Sequence, residues 1–206
     1  MLIDFKGPAG RLEGILATPD APRFAAIVGH PHPRFGGTMH NNATFRLARA
    51  LGRHGGVTLR FHFRGVGRSE GEYDEGQGEV DDAAAALAEL ARLAPGLPPW
   101  ATGFSFGARV ALALAARAPE IRAALVIGVA VRTFDHGFAR ALALPIAAVQ
   151  GERDEFGSPA EVEATLGGRP GPFRLGRVPG ASHLFTEDLD ALESEVGAAA
   201  DWLLAC

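Results

Sequence analysis

Thr102-Gly103-Phe104-Ser105-Phe106-Gly107 is the stretch on which the fold turns. An apolar, Pro-led run from Pro98 to Thr102 leads into it. A small-residue helical pattern follows: Ala108, Val110, Ala111, Leu112, Leu114 and Ala115. Strand, sharp turn, helix is the context in which G-x-S-x-G presents a nucleophile. The requirement is steric. A serine on a tight strand-to-helix turn leaves no room for side chains two residues to either side, and Gly103 and Gly107 remove those Cβ atoms. The Ser105 hydroxyl should then project above the sheet, with the first amides of the new helix facing the same point. Glycine supplies 27 of the 206 residues, so the pentapeptide alone carries little. Its meaning depends on an acid, a histidine and an oxyanion loop elsewhere in the chain.

The surrounding chain reads as alternating strands and helices. Leu2 to Lys6 and Arg11 to Ala17 are expected to pair as a hairpin around Gly7-Pro8-Ala9-Gly10. Phe24 to Gly29 is a continuous apolar run, the mark of a buried strand. Asn42 to His54 has helical spacing, Gly55-Gly56 ends it, and Val57 to Phe63 is the next strand. A loop spans Arg64 to Gly78, and Glu79 to Leu93 is an amphipathic helix. After the serine turn, strands are predicted at Ile121 to Val131, Pro145 to Gln150 and Pro172 to Val178. Helices are predicted at Pro159 to Leu166 and Leu184 to Leu204. The fold class is α/β: a mainly parallel central sheet, helices on both faces and an N-terminal antiparallel hairpin, in one domain over 1–206.

Composition narrows the functions. A net charge of −4 argues against a nucleic-acid binder. Lys6 is the one lysine, and no G-x-x-x-x-G-K-[ST] occurs, so Schiff-base chemistry and a phosphate loop lack their residues. The one cysteine, Cys206, ends the sequence and leaves no internal disulfide. No signal-peptide pattern and no membrane-length apolar run is seen, so a cytoplasmic setting is expected, with no membrane partner.

Ser105 needs a base, and the base needs a carboxylate to orient it. His183 lies in Val178-Pro179-Gly180-Ala181-Ser182-His183, on a loop leaving the last strand. Asp154 lies in Gly151-Glu152-Arg153-Asp154-Glu155, just past a buried strand. Asp135 is its rival, since it too follows a strand. The order Ser, Asp, His leaves gaps of 49 and 29 residues, each about one strand-helix repeat, so the three loops can converge at one sheet end. An oxyanion would need two amide donors. Phe106 supplies one. The second falls in Gly29-His30-Pro31-His32-Pro33, where the prolines have no N–H and His32 is the best placed. His30, His32 and His40 also invite a metal reading, but they lack a metalloprotease-type spacing and a glutamate partner, so no metal and no cofactor are expected.

These motifs resemble the small α/β-hydrolase superfamily proteins, nearly end to end and in order: His30-Pro31-His32-Pro33, Gly36-Gly37-Thr38-Met39, Phe63-Arg64-Gly65-Val66-Gly67-Arg68-Ser69-Glu70-Gly71, Gly103 to Gly107, Gly151 to Asp154 and Gly180 to His183. The likeness is greatest to a compact bacterial subgroup with a His-Pro-His-Pro loop. Many relatives have His-Gly where this chain has His30-Pro31. The resemblance implies Ser105 as nucleophile, Asp154 as acid, His183 as base, and His32 and Phe106 as oxyanion amides. It makes the Arg64 loop a wall of the site. Arg64 itself is read either as paired with a nearby carboxylate such as Glu70 or Asp74 or as a solvated charge. Phe104 should pack inward and Phe106 line the pocket. Only Arg132 to Leu144 precedes the next strand, too short for a lid domain, so an open site for a small-molecule acyl substrate is expected. The expected activity is hydrolysis of a small carboxylic ester or thioester. A catalytically retired binding or scaffold protein is the other class, and a homodimer remains open.

Overall fold

A computed structural model describes residues 1–206. Eight strands form one sheet: β1 (Leu2–Gly7), β2 (Gly10–Ala17), β3 (Phe24–Gly29), β4 (Gly56–Phe61), β5 (Pro99–Phe104), β6 (Ala123–Ile127), β7 (Ile146–Gly151) and β8 (Phe173–Val178). Their order is β1-β2-β4-β3-β5-β6-β7-β8. β2 runs antiparallel to both its neighbours, and every other pairing is parallel. The helices are α1 (Asn42–Arg53), α2 (Gln77–Leu93), α3 (Phe106–Arg117), α4 (Pro159–Leu166) and α5 (Leu189–Ala205).

The sheet separates two apolar cores. Leu59, Phe61, Ala101 and Val126 face α2, α3 and α4. Phe24, Val28, Leu125 and Val149 face α1 and α5. The central strands β3, β6 and β7 are buried along their whole length, as parallel strands covered on both faces must be. No helix is long and apolar enough to cross a membrane.

Local chemistry sets the helix starts. Asn41 caps α1, its side-chain oxygen accepting the amides of Ala43 and Thr44 at 3.0 and 3.2 Å. Ser158 and Glu161 form a reciprocal capping box ahead of Pro159 in α4. Asp188 caps α5 by accepting the Ala191 amide, so that helix begins at Leu189 and not at Leu184. Two strands are shorter than their apolar runs. β6 ends at Ile127 because Gly128 takes φ 56 and turns the chain. β4 ends at Phe61, and the Phe63 amide leaves the ladder to donate to the His30 ring.

Candidate active site

β5 ends at Phe104 and α3 begins at Phe106, so Ser105 is the whole turn between them. Its φ of 56 and ψ of −113 are strained for any residue with a Cβ. Neighbouring glycines make the turn possible. A Cβ on Gly103 would overlap the Gly107 carbonyl, and one on Gly107 would overlap the Gly29 carbonyl. Ser105 therefore sits at the C-terminal ends of β5 and β3, where open α/β sheets place their ligands.

Two more loops from the same sheet end meet it. His183, beyond β8, places Nε2 2.8 Å from Ser105 Oγ. Its Nδ1 lies 2.8 Å from Oδ2 of Asp154, beyond β7. All three side chains are buried. A carboxylate only accepts, so Nδ1 carries the proton and Nε2 is free to accept from the hydroxyl. A hydroxyl on an imidazole on a carboxylate is an arrangement that can draw the proton from the hydroxyl. The alternative acid, Asp135, is exposed and closes its own turn by accepting the Gly137 amide at 2.8 Å.

Gln150, which no motif in the sequence marks, holds this carboxylate in place. Its Nε2 donates to Asp154 Oδ2 and to the Gly157 carbonyl, both at 2.7 Å, and its Oε1 accepts the Val129 amide at 2.7 Å. The other carboxylate oxygen accepts the Phe156 amide at 2.8 Å. Gln150 is the penultimate residue of a buried strand, and a lone amide there was the available signal.

The loop after β3 runs past Ser105. His30 Nδ1 donates to the Pro31 carbonyl at 2.6 Å, and Nε2 accepts the Phe63 amide at 3.1 Å, so both ring nitrogens are engaged within the chain. Burial lowers its pKa to about 3 and keeps it neutral. Burial first, and the Arg34 charge second, lower the His32 pKa. Its Nδ1 accepts the Arg34 amide at 3.2 Å, and Nε2 faces the Tyr73 hydroxyl at 3.1 Å. The His32 carbonyl accepts from Phe35 and Gly37, while its amide has no partner in the chain. The Phe106 amide begins α3, where no helical carbonyl precedes it.

A cavity of about 450 Å³ covers Ser105 and His183. Phe35, Phe134, Phe156, Leu184, Pro31 and Ala130 supply its apolar wall, and none of its lining residues is Asp, Glu, Lys or Arg. Phe104 packs inward against His183 and Phe185, as expected. Phe106 does not line the cavity. Its ring is buried among His32, Phe63, Tyr73 and Phe134, because α3 turns it toward the core of that side. Arg64 pairs with Asp82 and not with Glu70. Its Nε and terminal nitrogen reach the Asp82 carboxylate at 3.0 and 2.8 Å, while Asp74 lies 3.9 Å away. Glu70 instead accepts the Arg11 amide at 2.7 Å. Between β6 and β7 the chain forms only turns and a short 3-10 segment, Gly137–Ala141, with no inserted domain.

Known proteins share this arrangement of strands. The chain is 40% identical over 168 residues to an uncharacterized protein of Rickettsia prowazekii (strain Madrid E), covering 78% of this chain and 70% of that one. Its fold superposes on a protein of unknown function from Agrobacterium tumefaciens with a TM-score of 0.92, at 36% identity, over 100% and 97% of the two chains. A Xanthomonas campestris protein described as an α/β serine hydrolase without lid gives a TM-score of 0.89 at 32% identity, over 98% and 94%. The family model described as Serine aminopeptidase, S33, matches residues 34–140, a span that holds Ser105 and stops short of Asp154 and His183. With just over half its length matched by that model, and with an α/β serine hydrolase described as lidless among its structural relatives, the chain belongs to this family of α/β-hydrolases.

Proposed function

We propose that the protein is a serine carboxylesterase acting on small, neutral, apolar esters or thioesters. The hydrogen-bonded series from Ser105 through His183 to Asp154 carries this reading. Ser105 Oγ attacks the ester carbonyl as His183 Nε2 takes its proton. Asp154 holds the imidazole and stabilises the imidazolium. The tetrahedral oxyanion rests on the amides of Phe106 and His32. Collapse expels the alcohol, which receives the proton from His183, and leaves an acyl group on Ser105. Water, deprotonated by the same imidazole, then releases the acid.

The walls support an uncharged substrate. An aminopeptidase needs an anion to hold the substrate's α-ammonium. The cavity lining offers no carboxylate for it. Apolar acyl and alcohol groups gain instead from contact with Phe35, Phe134, Phe156 and Leu184. The setting we infer is the cytoplasm, consistent with a chain whose one thiol is free. Turnover of p-nitrophenyl acetate and labelling by a fluorophosphonate probe test the proposal. Both should vanish in Ser105→Ala. A wild-type protein that neither turns over the ester nor takes the label would favour a binding role.

A further inference from the structure

A second cavity, of about 340 Å³, lies between α1, β4 and the segment leaving β2. The chain as a whole is acidic, with a net charge of −4. This cavity is the reverse. No acidic residue lines it, and Arg49, Arg53 and Arg60 do. Arg60 projects from β4 and is half-buried, with no carboxylate partner. It donates once, to the Met39 carbonyl at 2.8 Å, and lies over the Phe45 ring at 5.2 Å. Arg49 lies over the same ring at 5.6 Å.

Nearby acids do not neutralise the cluster. Arg46, Arg49 and Arg53 share the Glu193 carboxylate, and Asp190 takes a second bond from Arg46. With Arg60, four guanidiniums face two carboxylates. Each guanidinium carries five N–H donors, and most of Arg60's are unused. Thr18 and the buried Thr58 line the same space. A half-buried cation without a counter-ion is a costly arrangement for a chain to keep. An anion entering the groove would offset that cost.

We infer that this groove binds a small molecule bearing a phosphate group. Arginine forks suit phosphate oxygens, and Arg60 with the N–H groups of Arg49 and Arg53 that Glu193 leaves unused offers more donors than the two oxygens of a carboxylate can accept. Phe45, 41% exposed, gives a flat apolar wall for the organic part of the ligand. The inference does not depend on what Ser105 does.

Calorimetric titration of the full chain at constant ionic strength tests it, with phenyl phosphate and inorganic phosphate as probes and acetate as the control. The expected result is saturable one-to-one binding of phenyl phosphate, tighter than inorganic phosphate, with acetate at least about tenfold weaker. Arg60→Gln should weaken phosphate binding about tenfold or more. Arg53→Gln, which changes an exposed side chain, should weaken it in the same direction and keeps the test open if Arg60→Gln does not fold. No saturable heat, equal binding of acetate, or unchanged affinity in a folded Arg60→Gln or in Arg53→Gln would overturn the inference.

Discussion

Gly103 and Gly107 meet across the Ser105 turn so closely that a Cβ on the first would overlap the carbonyl of the second. Nothing flexible lies between them, since both obstructing groups are backbone. Gly103→Ala must therefore push β5 away from α3, and Gly107→Ala, whose Cβ would meet the Gly29 carbonyl, must push α3 away from the end of β3. Each is expected to destabilise the fold by about 1–3 kcal/mol, the usual cost of forced overpacking. Ester turnover should fall further than stability does, because the displaced atom is Ser105 Oγ. Gly52 makes the control: it is helical, and a Cβ there meets nothing within 4 Å. Gly52→Ala should raise stability by about 0.5–1 kcal/mol. Urea denaturation of the three variants gives the comparison.

Gln150 should matter to the proposed chemistry although it does not reach Ser105. Gln150→Leu keeps the volume roughly and removes the donor to Asp154, together with the partners of Val129 and Gly157. The predicted result is a fall in kcat of about tenfold or more with KM little changed, since an unanchored carboxylate orients His183 poorly while the cavity walls stay in place. Steady-state kinetics on p-nitrophenyl acetate separate the two constants. An equal change in KM would point to a collapsed cavity instead.

These two cases mark what could be read from residues alone. The Ser105 turn was legible because its constraint is local: two glycines, one serine and a strand-helix switch all fall within six residues. The α4 boundaries were legible for a similar reason, as Ser158, Pro159 and Glu161 carry the start signal themselves. Loops that converge through the sheet order were reachable as well, since β7 and β8 are neighbours and bring Asp154 near His183. Partners chosen by packing were not. Arg64 finds its main partner, Asp82, inside α2, 18 residues on, and keeps only a longer 3.9 Å pair with Asp74, while Glu70 turns to Arg11. No spacing rule shows that Gly128 adopts positive φ and cuts β6 short, because the apolar run continues past it. Phe106 had two apolar destinations, and only the rotation of α3 decides between them.

Acid should destabilise the fold earlier than carboxylate protonation would. His30 is neutral when buried, with a pKa lowered to about 3, whereas the unfolded chain takes up that proton near 6.5. Below that value the unfolded state binds more protons, so stability falls as pH falls, until the folded state also protonates near 3. Burial depresses His62 and His136 in the same direction, which adds to the slope. For His30 alone the slope approaches about 1.4 kcal/mol per pH unit between those two values. Urea midpoints between pH 7 and pH 4 would show it. A flat profile across this range would mean these rings protonate without unfolding.

His32 ties the proposed oxyanion donor to groups outside the cavity. Its ring is held at both ends, by the Arg34 amide at Nδ1 and the Tyr73 hydroxyl at Nε2, and is packed between Phe35 and Phe106. The backbone amide is the group proposed to meet the oxyanion, and the ring fixes where that amide points. His32→Ala keeps the amide and loses both anchors, so it separates the two contributions. The expected outcome is a kcat reduced about tenfold, below the 10²–10³-fold loss typical when an oxyanion donor is deleted outright. Tyr73→Phe, which removes one anchor, should cost less than His32→Ala and in the same constant. Affinity for a boronic-acid analogue of the tetrahedral intermediate should fall in step with kcat across both variants, since the amide acts on that state more than on bound ester. Unchanged kcat in His32→Ala would mean that the Gly37–His32 hydrogen bond and the His30 ring suffice to hold the loop, and the anchoring role would pass to them.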